Sequence, residues 1–157
     1  MATGLVTTSR ITDATPAAFS AHVESRDDET AVAAQQFRLG VDVLLGGRRS
    51  HFLPESAGGR RKDGRILADE ARRAGYALAE TATELAGLKT GKMLGLFSIG
   101  NMAFEIDRAS TAEPSLGAMA TKALDALAHH PRGLFVMIEG GRIDHAAHPS
   151  ARATKTD

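Results

Sequence analysis

The sequence predicts an α/β fold, a layered sheet whose strands alternate with helices along the chain. Three observations carry that expectation. Short apolar, β-branched runs such as residues 41–45 and 93–97 alternate with longer stretches of helical periodicity. Residues 133–138 form an almost continuously apolar run, the pattern of a strand covered on both faces. Glycine and proline separate these stretches, at Gly40, Gly46, Gly47, Gly75 and Pro131.

Taken in order, residues 4–11 read as the first strand. Thr15 and Pro16 then open a helix, Thr15 as the N-cap and Pro16 at the first helical position, where a missing N–H costs nothing. Ala17, Ala18, Ala21 and Val23 are its expected apolar face. Residues 29–39 read as a second helix ended by Gly40 in the left-handed position. A brief strand at 41–45 closes with Gly46-Gly47, and a basic, glycine-containing loop covers 48–64. Residues 66–73 are helical, 76–79 a short strand, 81–88 a weaker helical turn and 93–97 another strand. The clearest helix starts at a Ser115 cap. Leu116, Met119, Ala120, Ala123, Leu124 and Leu127 recur along it at helical spacing until Pro131 marks its end, before the apolar run.

At 157 residues the chain is long enough for one domain with a real core. Nineteen basic residues against nineteen acidic ones give no net charge, which argues against a nucleic-acid binder or a polybasic membrane-surface protein. The absence of cysteine excludes a disulfide scaffold, a thiolate metal site and a cysteine nucleophile. No apolar run approaches the roughly 20 residues of a membrane span, and residues 1–8 lack the basic and apolar regions of a secretory signal.

The strongest chemical signal follows the last strand, in Glu139-Gly140-Gly141-Arg142-Ile143-Asp144-His145-Ala146-Ala147-His148. Ligands of open α/β sheets collect at the carboxyl ends of strands, where Glu139 falls. Asp144 and His148 are four residues apart, so on a helical turn a carboxylate and an imidazole share one face, a pairing suited to zinc. A second constellation, Thr12-Asp13-Ala14-Thr15-Pro16, lies at a strand-to-helix junction, with His22 and Arg26 beyond it. A guanidinium such as Arg26 matches two oxygens of a tetrahedral oxyanion. Plain structural roles also stand open: Thr15 as a cap, Asp13 as a turn residue, Arg26 as a solvated charge, Glu139 as the partner of a helix end or an arginine.

Together these segments resemble the alkaline phosphatase family. The likeness rests on residues 6–18, including Asp13-Ala14-Thr15-Pro16-Ala17-Ala18, and on 22–26; it continues through 43–48, 94–97 and 113–116 and finishes with 131–148. It implies a three-layer α/β/α sandwich on a mostly parallel sheet, and hydrolysis of phosphate monoesters through a phosphoserine with two zinc ions and one magnesium. Residue by residue, Thr15 and Glu139 would be magnesium ligands and Asp144 and His148 ligands of one zinc. Arg26 would clamp the phosphate, with Asp13 and His145 tuning the magnesium site and phosphate pocket from behind. For the parent enzyme the resemblance implies a homodimer in the periplasm or outside the cell.

The departures are equally specific. No Asp-Ser-Ala triplet, which would carry the nucleophile, occurs in the chain, nor a Gly-Asp-Gly or a Thr-Ala-Asp-His. Residues 4–148 are therefore expected to be the central part of an alkaline phosphatase domain, inactive alone, and 149–157 a non-matching, unstructured tail. Two other readings are a non-catalytic remnant that binds metal or phosphate, and a piece of another member of the same superfamily such as a phosphodiesterase or sulfatase. The Asp-Ala-Thr-Pro-Ala-Ala motif argues against the latter.

Overall fold

A computed structural model of the chain describes residues 1–148, so the expected tail at 149–157 lies outside the described residues. Five strands, β1 (Ala2–Arg10), β2 (Val43–Gly47), β3 (Ala77–Ala79), β4 (Met93–Leu96) and β5 (Leu134–Glu139), form one sheet in the order β3-β4-β2-β1-β5. Every pairing is parallel. Parallel neighbours need crossover connections, and helices supply them: α1 (Ala14–Ala18), α2 (Glu29–Leu39), α3 (Leu67–Arg73), α4 (Ala82–Gly87) and α5 (Leu116–Leu127) lie between strands, and α6 (Gly141–Ala147) follows β5.

Successive strand residues point to opposite faces, so the strands feed two cores. Val43 and Leu45 join Val6, Met93 and the Met119, Ala123 and Leu127 face of α5 on one side. Leu44 joins Leu5, Leu94, Phe52, Ala33 of α2 and Leu67 and Ala71 of α3 on the other. This is the three-layer α/β/α arrangement. The helix ends follow local chemistry. Asp28 accepts from the Ala31 N–H at 3.1 Å and Ser115 from the Ala118 N–H at 3.1 Å. Gly40 closes α2 at φ 76°, a conformation that costs glycine nothing.

Two expectations are corrected. Asp13, not Thr15, caps α1, because its carboxylate reaches the Ala14 N–H at 2.9 Å; Thr15 sits inside the first turn, and α1 stops at Ala18, short of Ala21 and Val23. The apolar run of β5 is not buried on both faces: Leu134, Phe135 and Ile138 are 37%, 39% and 43% exposed. β5 lies at an edge of the sheet, paired among the described residues with β1 alone. Composition states what a strand is suited to bury, whereas sheet order decides whether anything covers it.

β1 runs between β2 and β5, so the segments leaving three strands meet at its carboxyl end. Those segments carry Asp13, Arg48 and Glu139.

Candidate active site

Asp13 is the hub of that edge. Its Oδ1 accepts from Arg10 Nη2 at 2.8 Å and from Arg26 Nη2 at 3.0 Å, and its Oδ2 lies 3.9 Å from His145 Nε2. The Asp13 side chain is 11% exposed, while Arg26 is 64% exposed and presents its remaining donors to solvent. Burial alone would raise the Asp13 pKa. The hydrogen bond from Arg10, the Ala14 N–H and the charges of Arg10 and Arg26 outweigh it and hold the carboxyl below the usual carboxylate range.

Behind Asp13 lies a buried carboxylate, Glu29, at the first position of α2. Its Oε2 accepts from the Thr12 hydroxyl at 2.5 Å, and its Oε1 lies 3.4 Å from Arg10 Nη1 and 3.5 Å from Arg48 Nη2. Arg10 thus bridges two carboxylates and fixes the corner at which Arg26 is gripped. Arg48 holds φ at 78°, unusual outside glycine, directly after Gly47.

At the end of β5, Glu139 Oε2 accepts from the Thr7 hydroxyl at 2.7 Å, and Thr7 and Ser9 are hydrogen-bonded at 2.9 Å. Gly141 is required here, because a Cβ at that position would lie 2.9 Å from the Ser9 side chain. α6 therefore starts close against β1, and the Arg142 N–H donates to the Thr8 hydroxyl at 3.2 Å. The Arg142 guanidinium lies 3.6 Å over the Phe104 ring and 3.0 Å from His145 Nδ1. Its burial pulls its pKa down, against the opposing charges of Glu113 and Asp107. One turn on, Asp144 Oδ2 and His148 Nε2 are 3.4 Å apart and both are well exposed.

The fold therefore brings together Asp13, Arg26 and His145, from stretches more than 100 residues apart, and separately Asp144 with His148. Thr15 is exposed on α1, and no hydrogen bond among the described residues links it to Glu139. Sequence reasoning missed Thr7, Ser9, Arg10 and Glu29. Thr7 and Ser9 could have been found by the two-residue period of β1, which sets both on one face. Glu29 carried no such signal, since an acidic residue in a first helical turn usually complements the helix dipole. The donor types suit the metals implied by the resemblance, oxygen at Glu139 and Thr15 for magnesium, oxygen plus imidazole at Asp144 and His148 for zinc. The donor number does not: among the described residues no three His, Asp or Glu side chains are gathered to hold an ion.

Comparison with known proteins adds to this geometry. The family model described as alkaline phosphatase matches residues 1–156. The chain is 42% identical to the repressible alkaline phosphatase of Saccharomyces cerevisiae, over 98% of this chain and 31% of that protein. It is 42% identical to alkaline phosphatase 4 of Bacillus subtilis, over 93% of this chain and 31% of that protein. The crystal structure of Thermus thermophilus alkaline phosphatase superposes with a TM-score of 0.86 at 40% identity, covering 92% of this chain and 30% of that one. A mutant of TAB5 alkaline phosphatase, solved with magnesium bound, superposes with a TM-score of 0.76 at 26% identity over 98% of this chain and 42% of that one. The chain thus spans about 31% of the length of the two curated relatives.

Proposed function

The chain belongs to the alkaline phosphatase family, and from that premise we propose that it carries the phosphate-holding part of a phosphomonoesterase active site. The single observation behind this reading is the grip on Arg26. Asp13 fixes one Nη while the rest of the guanidinium stays open to solvent, the arrangement required to clamp two oxygens of a phosphoryl group. Arg10, itself anchored on Glu29, keeps Asp13 ionised and in place. Arg142 orients His145 on the far side of the same carboxylate.

Thr15 and Glu139 would hold magnesium, and Asp144 and His148 one zinc, each with further donors from outside this chain. Such ions supply charge stabilisation and an activated water. Within this chain Glu139 is already set by the Thr7 hydroxyl, and Asp144 by its place on α6, with His148 directly after that helix and its Nε2 3.4 Å from Asp144 Oδ2. The nucleophilic serine would likewise come from the part of the family's length that this chain does not span.

A chimaera in which this chain replaces the matched segment of the Thermus thermophilus enzyme tests the reading. Arg26→Ala is expected to lower kcat/KM for p-nitrophenyl phosphate roughly 10- to 100-fold, since a hydrogen bond to a charged group contributes about 1.5–3 kcal/mol. An unchanged kcat/KM removes Arg26 from the site.

A further inference from the structure

Arg48 stands where the backbone is suited to glycine. Among the described residues no other non-glycine residue has a positive φ, and Arg48 takes φ 78°, ψ 42° directly after Gly46 and Gly47. Its neighbours fix this conformation from both sides. The Gly47 carbonyl accepts from the Ile11 N–H at 3.2 Å, the Arg49 N–H donates to the Ser98 carbonyl at 2.9 Å, and the Arg48 carbonyl accepts from the His51 N–H at 3.2 Å. A strained residue at the carboxyl end of a central strand points to a use for its side chain. That side chain reaches Glu29. The buried carboxylate gives its Oε2 to the Thr12 hydroxyl and its Oε1 to two guanidinium groups, Arg10 Nη1 at 3.4 Å and Arg48 Nη2 at 3.5 Å. Both contacts are longer than a good hydrogen bond, whereas Arg10 Nη2 stands 2.8 Å from Asp13 Oδ1. The buried Nε of Arg48 has no hydrogen-bond partner among the described residues. Burial, with the like charges of Arg10 and Arg60, pulls the Arg48 pKa below its ordinary value, against Glu29 and Asp13.

We propose that Arg48 is a positioning residue: by sharing Glu29 with Arg10 it keeps Arg10 on Asp13, and so keeps Asp13 in place for the Arg26 phosphate clamp. A carboxylate facing a single guanidinium draws it into a close, two-pronged pair. Glu29 alone with Arg10 would therefore compete with Asp13 for the same fork. Arg48 approaches the same Oε1 and weakens that pull, which leaves Arg10 its short bond to Asp13. Two carboxylates then face three guanidinium groups, and Arg26, at 64% the most exposed of the three, presents the surplus charge to a phosphate dianion. The effect on phosphate rests on the clamp reading of Arg26, whereas the geometry of Arg10 does not. A plain brace between β2 and α2 would make the same contact with Glu29, but it would not couple Arg48 to phosphate through Arg10.

Arg48→Gly suits the backbone at φ 78° and removes only the side chain. In crystal structures of the full 157-residue chain and of this variant, Arg10 Nη2 is expected to move from 2.8 Å to beyond about 3.5 Å from Asp13 Oδ1, with Arg10 closing on Glu29. In the chimaera described above, the inhibition constant of inorganic phosphate against p-nitrophenyl phosphate is expected to rise roughly tenfold, less than the loss produced by a misplacement of about 1 Å. Adding Glu29→Gln to Arg48→Gly removes the pull on Arg10 while keeping an acceptor for the Thr12 hydroxyl. The double variant is expected to return the constant to within about threefold of the parent. A brace gives the opposite result, two losses that add. An unchanged Arg10–Asp13 distance, or a double variant no better than Arg48→Gly, overturns the proposal. So does phosphate inhibition that responds to Arg26→Ala but not to Arg48→Gly. A displaced Arg10 with inhibition unchanged in both Arg48→Gly and Arg26→Ala leaves Arg48 as the residue that positions Arg10 and removes the clamp reading, so the two can fail separately.

Discussion

At the corner between β1 and α1, one carboxylate caps a helix, holds two guanidinium groups and faces an imidazole. Asp13 therefore links stability to the site. Its pKa is held below the ordinary value, so its contribution is complete above the unfolded value of about 4 and disappears as the pH falls through the lowered one. Asn retains the capping oxygen but not the charge. Asp13→Asn is expected to cost about 1 kcal/mol at pH 7, or about 2–4 °C in Tm, with the difference from the parent chain shrinking towards pH 2. A difference constant from pH 7 to pH 2 would remove the ionic role. Asp144 acts through a different chemistry. In the chimaera, Asp144→Ala should abolish nearly all activity and lower zinc retention in equilibrium dialysis, because His148 alone would remain of the paired donors. The Asp-Ala-Thr-Pro motif drew attention to Asp13 at once. Its partner Arg10 was less visible, since nothing local distinguishes an arginine that bridges two carboxylates from one in solvent.

The helices were legible where local chemistry decides them. α2 runs from Glu29 to Leu39 with Gly40 behind it, as its periodicity and glycine indicate, and α5 starts at Ser115 as its cap requires. Ser115→Ala is expected to cost about 1 kcal/mol through loss of the bond to the Ala118 N–H. Met119→Ala should cost about 2–5 kcal/mol, because the side chain is fully buried between α5 and the sheet. Urea denaturation of the chain measures both, and equal losses would contradict the assigned burial. Where elements were misread, the competing choice was also local: Thr15 and Asp13 are both good caps, and the hydrogen bond to Ala14 decides between them. β5 was misjudged for another reason. Its apolar composition fits a sheet interior, and its position at the edge depends on which strands lie beside it.

For the molecule as a whole, the arrangement makes a graded expectation about function. The 157-residue chain alone should hydrolyse p-nitrophenyl phosphate no faster than buffer and lose zinc on dialysis at micromolar concentration, because two donors hold the ion poorly. Stoichiometric zinc retention, or turnover by the isolated chain, would show that the site is more complete than its gathered side chains indicate. No helix among the described residues is long and apolar enough to cross a membrane. The order of helices and strands, the Gly40 and Ser115 caps, the absence of any thiol chemistry and the family were legible in the amino-acid sequence itself, because each depends on residues adjacent in the chain or on motifs of a few residues. The tertiary structure decided which side chains meet: Arg26 and His145 on Asp13, Thr7 on Glu139, and Glu29 beneath them. It also decided that β5 is an open edge. These depend on the sheet order β3-β4-β2-β1-β5, which brings residues more than 100 positions apart to one end of β1, and no local propensity encodes that order.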